Sequence, residues 1–74
     1  MANYRLTYRE SKDGKNKSVI LENMGGRLEA WDYATMFHNA NYWVKEEQVS
    51  MNDKTQVWET TSENILNHDL NETN

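Results

Sequence analysis

The side chains best suited to proton transfer or metal ligation are two histidines, His38 and His68. They lie far apart in the chain, without the His-x3-His spacing that puts two ligands on one helical turn. There is no cysteine, so a zinc site would have to combine both histidines with carboxylates. The acid closest before His38, Asp32, is six positions back and falls on another face of a helix. No nucleophile, base and orienting group come together, and no carboxylates pair at a fixed spacing. The expectation is a protein that is not an enzyme, with no catalytic residues, no cofactor and no metal. Gly25 and Gly26, followed by Arg27, could hold an anion on free backbone amides. No Lys-Ser/Thr pair follows and no glycine-rich fingerprint is complete, so a strand-to-helix turn is the plainer reading.

Binding chemistry is better represented. Five of the eight aromatic residues sit within residues 29–44: Trp31, Tyr33, Phe37, Tyr42 and Trp43. Trp31 and Phe37 are expected to cover the core. Tyr42, Trp43 and Trp58 belong to strands with less to pack against, and they are the candidate partner-binding residues. A second set is basic: Arg5, Arg9, Lys15, Lys17 and Arg27. Arginines interleaved with tyrosines in "YRLTYR" have the composition of a platform for single-stranded nucleic acid. Alternation puts the two types on opposite faces of a strand, which argues against that use. Charge points the same way. Residues 1–27 hold six basic and three acidic side chains, whereas residues 28–74 hold two basic and nine acidic ones. Phosphate backbones are repelled by such a surface. The seven carboxylates from residue 46 onward (Glu46, Glu47, Asp53, Glu59, Glu63, Asp69 and Glu72) suit solvent faces and strand edges. They also suit a basic partner, such as the nucleic-acid channel of a host protein.

The elements that must position these residues can be read from periodicity. "NYRLTYRES" alternates strictly, Asp13-Gly14 is a turn dipeptide, and "KSVILEN" is rich in β-branched residues. This predicts a hairpin of residues 4–12 and 17–23. After the two glycines, Ala30, Trp31, Ala34, Phe37 and His38 share one helical face, predicting a helix over residues 28–40. A third strand is expected over residues 42–51, with a bulge near residues 45–47 to reconcile its imperfect alternation. A fourth is expected over residues 55–61. Thr60 and Glu63 have capping-box spacing, so residues 62–74 are expected to form a short helix or an Asn-rich, acidic, disordered tail. The order ββαββ predicts an α+β domain of residues 1–61: a four-stranded antiparallel sheet with one helix packed on one face.

Seventy-four residues, 36% of them hydrophobic, make one domain with a thin core. Without disulfides or a metal, a chain this small leans on bulky aromatics or on a partner chain, so a homodimer is expected. No run approaches a membrane span and no signal-peptide apolar region opens the chain, which predicts a soluble cytoplasmic protein. "YRLTYRESKDGKNKSVIL", "EAWDYATMF" and "NYWVKEEQV", with abundant Asn and neither Cys nor Pro, form a pattern over residues 4–61. It resembles in style the small uncharacterised proteins carried by Gram-positive bacteria and their prophages. The resemblance implies either no assigned activity or the binding of a host protein. It carries no site residues. The function expected is a small non-enzymatic protein-binding module acting on a host protein, or on itself as a dimer. The alternative is a single-stranded nucleic-acid binder using the basic hairpin.

Overall fold

Tyr4, Leu6 and Tyr8 alternate with Arg5, Thr7 and Arg9, and this period-two pattern makes the first strand, β1 (Ala2–Arg9). In the computed structural model, which describes residues 1–72, the chain turns at residues 11–14, where the Gly14 amide donates to the Ser11 carbonyl at 2.9 Å. It returns as β2 (Lys17–Met24). Helix α1 (Arg27–His38) follows, then β3 (Tyr42–Asn52) and β4 (Val57–Asp69). All pairings are antiparallel and the strand order is β2-β1-β3-β4. This is the α+β, ββαββ fold that the periodicity predicts.

Local chemistry sets the helix ends. Glu29, in the first turn, reaches back and accepts the Gly25 N–H at 2.6 Å, which satisfies a donor and places an acid at the positive end of the helix. At the other end Asn39 adopts the left-handed conformation (φ 55°), and the Ala40 amide donates to the Ala34 carbonyl at 3.3 Å. Asparagine tolerates that conformation better than most residues.

The connection from β2 to β3 passes over β1, so α1 lies on β1 and β2 and reaches β3 only through the Trp31–Trp43 ring contact. Its buried residues are Ala30 and Ala34. They join Tyr4, Leu6, Tyr8, Leu21 and Ala40 in one core cluster, flanked by the half-buried Trp31, Trp43 and Leu66. Leu6 is the one large side chain with no exposure, 0%. Phe37 is not in this core. It is 63% exposed although it shares the helical stripe of Ala30 and Ala34; it lies in the last turn of α1, beyond the buried alanines. It stacks instead on Tyr33, ring centroids 4.6 Å apart.

The predicted break after residue 61 is also corrected. β4 continues to Asp69 and pairs with β3 along its whole length, so residues 62–69 are strand and not helix; Thr73 and Asn74 lie outside the described residues. Thr60 does not cap a helix; its hydroxyl donates to Glu47 at 2.6 Å. Two irregularities hid the strand. The register against β3 slips between Ser62 and Thr60, and again between His68 and Ile65, where Asn67 has φ 46°. The first slip reverses the side-chain parity of β4 and breaks its alternation; the second changes its register against β3. The bulge expected near residues 45–47 falls just before them, at Val44, the extra residue between Trp43 and Lys45 opposite Tyr8 and Thr7.

Two stability measurements check this account. Leu6→Ala is expected to lower the unfolding free energy by about 2–5 kcal/mol, read from urea curves, and so to remove most of the roughly 5 kcal/mol available to so small a domain. Asn67→Gly should leave stability within about 0.5 kcal/mol, whereas Asn67→Val should lose roughly 1–2 kcal/mol through its left-handed backbone. Equal losses in the two variants would remove the bulge as the reason β4 can continue.

Candidate functional site

Cross-strand register divides the side chains between two faces. Trp43, Glu46 and Gln48 of β3 lie beside Tyr8, Leu6 and Tyr4 on the helix side. Tyr42, Lys45, Glu47 and Val49 lie on the opposite, open face beside Arg9, Thr7, Arg5 and Asn3. On β4, His68 and Asn64 take the helix side, and Trp58, Thr60, Glu63 and Ile65 take the open face.

The three candidate partner-binding rings do not converge. Trp43 is half-buried on the helix side: its indole N–H donates to the Ala40 carbonyl at 2.8 Å, and its ring lies 5.1 Å from Trp31 and 5.8 Å from His68. It joins the helix to the β3–β4 half of the sheet. Tyr42 and Trp58 share the open face at opposite ends of the β3–β4 ladder. Tyr42 sits 5.1 Å beneath the Arg9 guanidinium. Trp58 is half-buried beside Met51 near the hairpin tip.

The basic residues are dispersed as well. Arg9 folds back on its own hairpin, donating to Asn16 at 2.7 Å and to the Lys12 carbonyl at 2.8 Å. Lys17 pairs with Glu10 at 2.8 Å. That hydrogen bond, and then the charge of Glu10, hold the Lys17 ammonium above its ordinary value of 10.5. Because the folded-state value is the higher one, the pair's contribution is complete at neutral pH and vanishes only as the pH climbs past it. Lys15 is exposed on the turn, and Arg27 lies on the helix, 5.8 Å over the Trp31 ring. The amide cradle at the glycines already holds an anion of the chain's own, the Glu29 carboxylate.

What the fold does assemble is an ion cluster on the open face. Glu47 is 6% exposed. It accepts from Thr60 at 2.6 Å and from Arg5 at 3.4 Å, and Lys45 stands 3.9 Å away. Glu63 is its direct cross-strand neighbour. Two carboxylates in that position repel, and Lys45, 3.7 Å from Glu63, stands between them. Beside the cluster is a shallow depression of about 350 Å³, whose lining includes Arg5, Thr7, Ser18, Lys45 and Glu47. On the helix side Glu46 is buried, and its Oε1 and the Trp31 indole nitrogen have no hydrogen-bond partner among the described residues. No group of three or more potential metal ligands occurs among the described residues, and none of their helices is long and apolar enough to cross a membrane.

Sequence reasoning missed two surfaces. One is the outer face of α1, where Leu28, Tyr33, Met36 and Phe37 are exposed. The spacing of Ala30 and Ala34 was the available signal, since small residues at i and i+4 mark a close approach. The other is β4, exposed at Val57 and Ile65, with Met51 exposed opposite Trp58. Comparison of the chain with family models, curated proteins and solved structures finds no match.

A double-mutant cycle tests the ion cluster. Arg5→Ala should destabilise by roughly 1–2 kcal/mol in the parent, because a buried carboxylate loses a cation. It should do so by clearly less in a Glu47→Gln background, giving a coupling of about 1 kcal/mol. Additive losses would show that Arg5 acts through other contacts, such as its hydrogen bond to the Trp58 carbonyl at 3.4 Å, and not through Glu47.

Proposed function

We propose that this chain is a small, non-enzymatic, cytoplasmic protein-binding module that engages its partner through the β3–β4 half of the sheet. One observation carries the reading. The helix lies on the other face of the sheet, so the open face of β3 and β4 is uncovered, and it exposes Met51 beside the half-buried Trp58 and, further along the ladder, Ile65. A thin core would gain from burying such side chains, and leaving them outside is characteristic of an interaction surface. The stylistic resemblance to prophage-borne proteins supports a host protein as the target. Nucleic-acid binding is not favoured, since the basic side chains are paired or spread over two layers.

A homodimer is the second reading, favoured by the outer face of α1, where the Tyr33–Phe37 ring pair and Met36 are exposed. Four side chains on a helix of 12 residues fall short of the ~800 Å² per partner of a stable interface. A dimer through this face is therefore weak.

Affinity capture from a nuclease-treated bacterial lysate, with sedimentation velocity alongside, separates the two. Trp58→Ala with Ile65→Ser should abolish recovery of a defined protein while the far-UV spectrum is unchanged. Phe37→Ser should leave capture intact and shift any dimer to monomer. Capture that depends on Phe37 and ignores Trp58 and Ile65 would overturn the assignment of the surface.

A further inference from the structure

β4 is an edge strand. It pairs with β3 on one side, and on its other side the backbone has no partner among the described residues. Such edges are templates for further pairing, and proteins blunt them with lysine, proline, bulges or a covering element. The other edge, β2, is handled in this way: it is short, begins at Lys17, and lies against the helix. β4 differs on each count. It is 13 residues long, contains neither lysine nor proline, and has no helix beside it. Its bulges leave residues 62–66 between them, and here Ser62, Glu63, Asn64 and Ile65 pair one-for-one with Gln48, Glu47, Glu46 and Lys45. This is a regular run with its outer edge open.

The chemistry along that edge is one-sided. β4 carries Glu59, Glu63 and Asp69 and no arginine or lysine. Glu63 is half-exposed, and among the described residues its one cation is Lys45 at a loose 3.7 Å. On the same face, two residues along, Ile65 is 61% exposed. A second copy of β4 would bring only more acids to this edge, and like charges across paired strands are destabilising. A cationic strand has the opposite effect.

We propose that residues 62–66 accept an extended segment of another protein as a fifth strand, one that sets a lysine or arginine against Glu63 and, two residues along, an aliphatic side chain against Ile65. Backbone hydrogen bonds supply affinity, and the alternating side chains supply selection. This deepens the proposed function and rests on it: it names the class of partner for the same half of the sheet.

The test uses the full chain, isotope-labelled, titrated with a short capped peptide that alternates threonine with lysine and valine. The expected result is shifted amide signals and slowed hydrogen exchange confined to residues 62–66, weakening as salt is raised. Glu63→Lys, at a half-exposed position and with its fold checked by the amide spectrum, should weaken binding by on the order of tenfold. The same peptide N-methylated on alternate residues should not bind, and neither should its glutamate-for-lysine counterpart. Equal binding by the N-methylated or the acidic peptide, perturbations centred elsewhere, or no binding at low salt would each overturn the proposal. If a captured partner depends on Trp58 and Ile65 but is indifferent to Glu63→Lys, the surface stands and strand addition falls. If it depends on neither, both fall.

Discussion

Ala30 and Ala34 carry the helix onto the sheet, against a strand face made of Tyr4, Leu6, Tyr8 and Leu21. Because the contact side chains are methyl groups, α1 can come close, and close approach lets so short a chain enclose a dry core at all. The same constraint decides where the bulky residues go. Phe37, in the last turn of the helix, is left outside the core and pairs with Tyr33. Trp31 reaches sideways to Trp43 and closes the margin of the core over β3. The apolar outer face of α1 is thus left open by the same packing that buries its alanines.

Crossover geometry completes the division. With the order β2-β1-β3-β4, the chain leaves β2, passes over β1 and descends into β3, so the helix covers the N-terminal hairpin. The C-terminal hairpin has to be stabilised by its own ladder. A strand of 13 residues at about 3.3 Å each spans roughly 40 Å, close to the longest dimension of the molecule, 44 Å. Asparagines make the irregular points possible. Asn23, Asn39 and Asn67 all hold left-handed backbone, with Gln56 at the β3–β4 turn, and none of the chain's glycines is used for this. Asn23 sits where β2 slips against β1, and its amide is held by the Asn3 side chain at 2.9 Å.

Electrostatics follow from the same pairing. The strand register sets Glu47 beside Arg5 on one side and Glu63 on the other. The acidic C-terminal half and the basic N-terminal half therefore meet within the sheet, and the centre of the open face is close to neutral. Net negative charge is pushed outward, to β4. A nucleic-acid platform is lost in that arrangement, and an acidic, unpaired edge is created. The hydrogen bond from Thr60, at 2.6 Å, matters more than the longer ionic contacts in holding the Glu47 carboxylate, since buried charge needs short, directed donors.

The amino-acid sequence by itself determined the elements of the first half and the class of fold. Strict alternation in residues 4–9, a turn dipeptide, two glycines and a helical stripe are local signals, and local signals survive in any context. Absence of cysteine and the split of charge were equally legible. Tertiary structure alone decided the rest. Phe37 and Ala34 both belong to the helical stripe, and only the packed structure leaves one exposed and the other buried. Residues 62–69 look like a cap and a tail, and only pairing with β3, together with left-handed Asn67, makes them a strand. Tyr42, Trp43 and Trp58 look like one aromatic surface, and only the register separates them by face and by end. Periodicity reports which residues lie on the same side of an element. It carries no information on what that side meets, and the candidate site is built almost entirely from that second kind of fact.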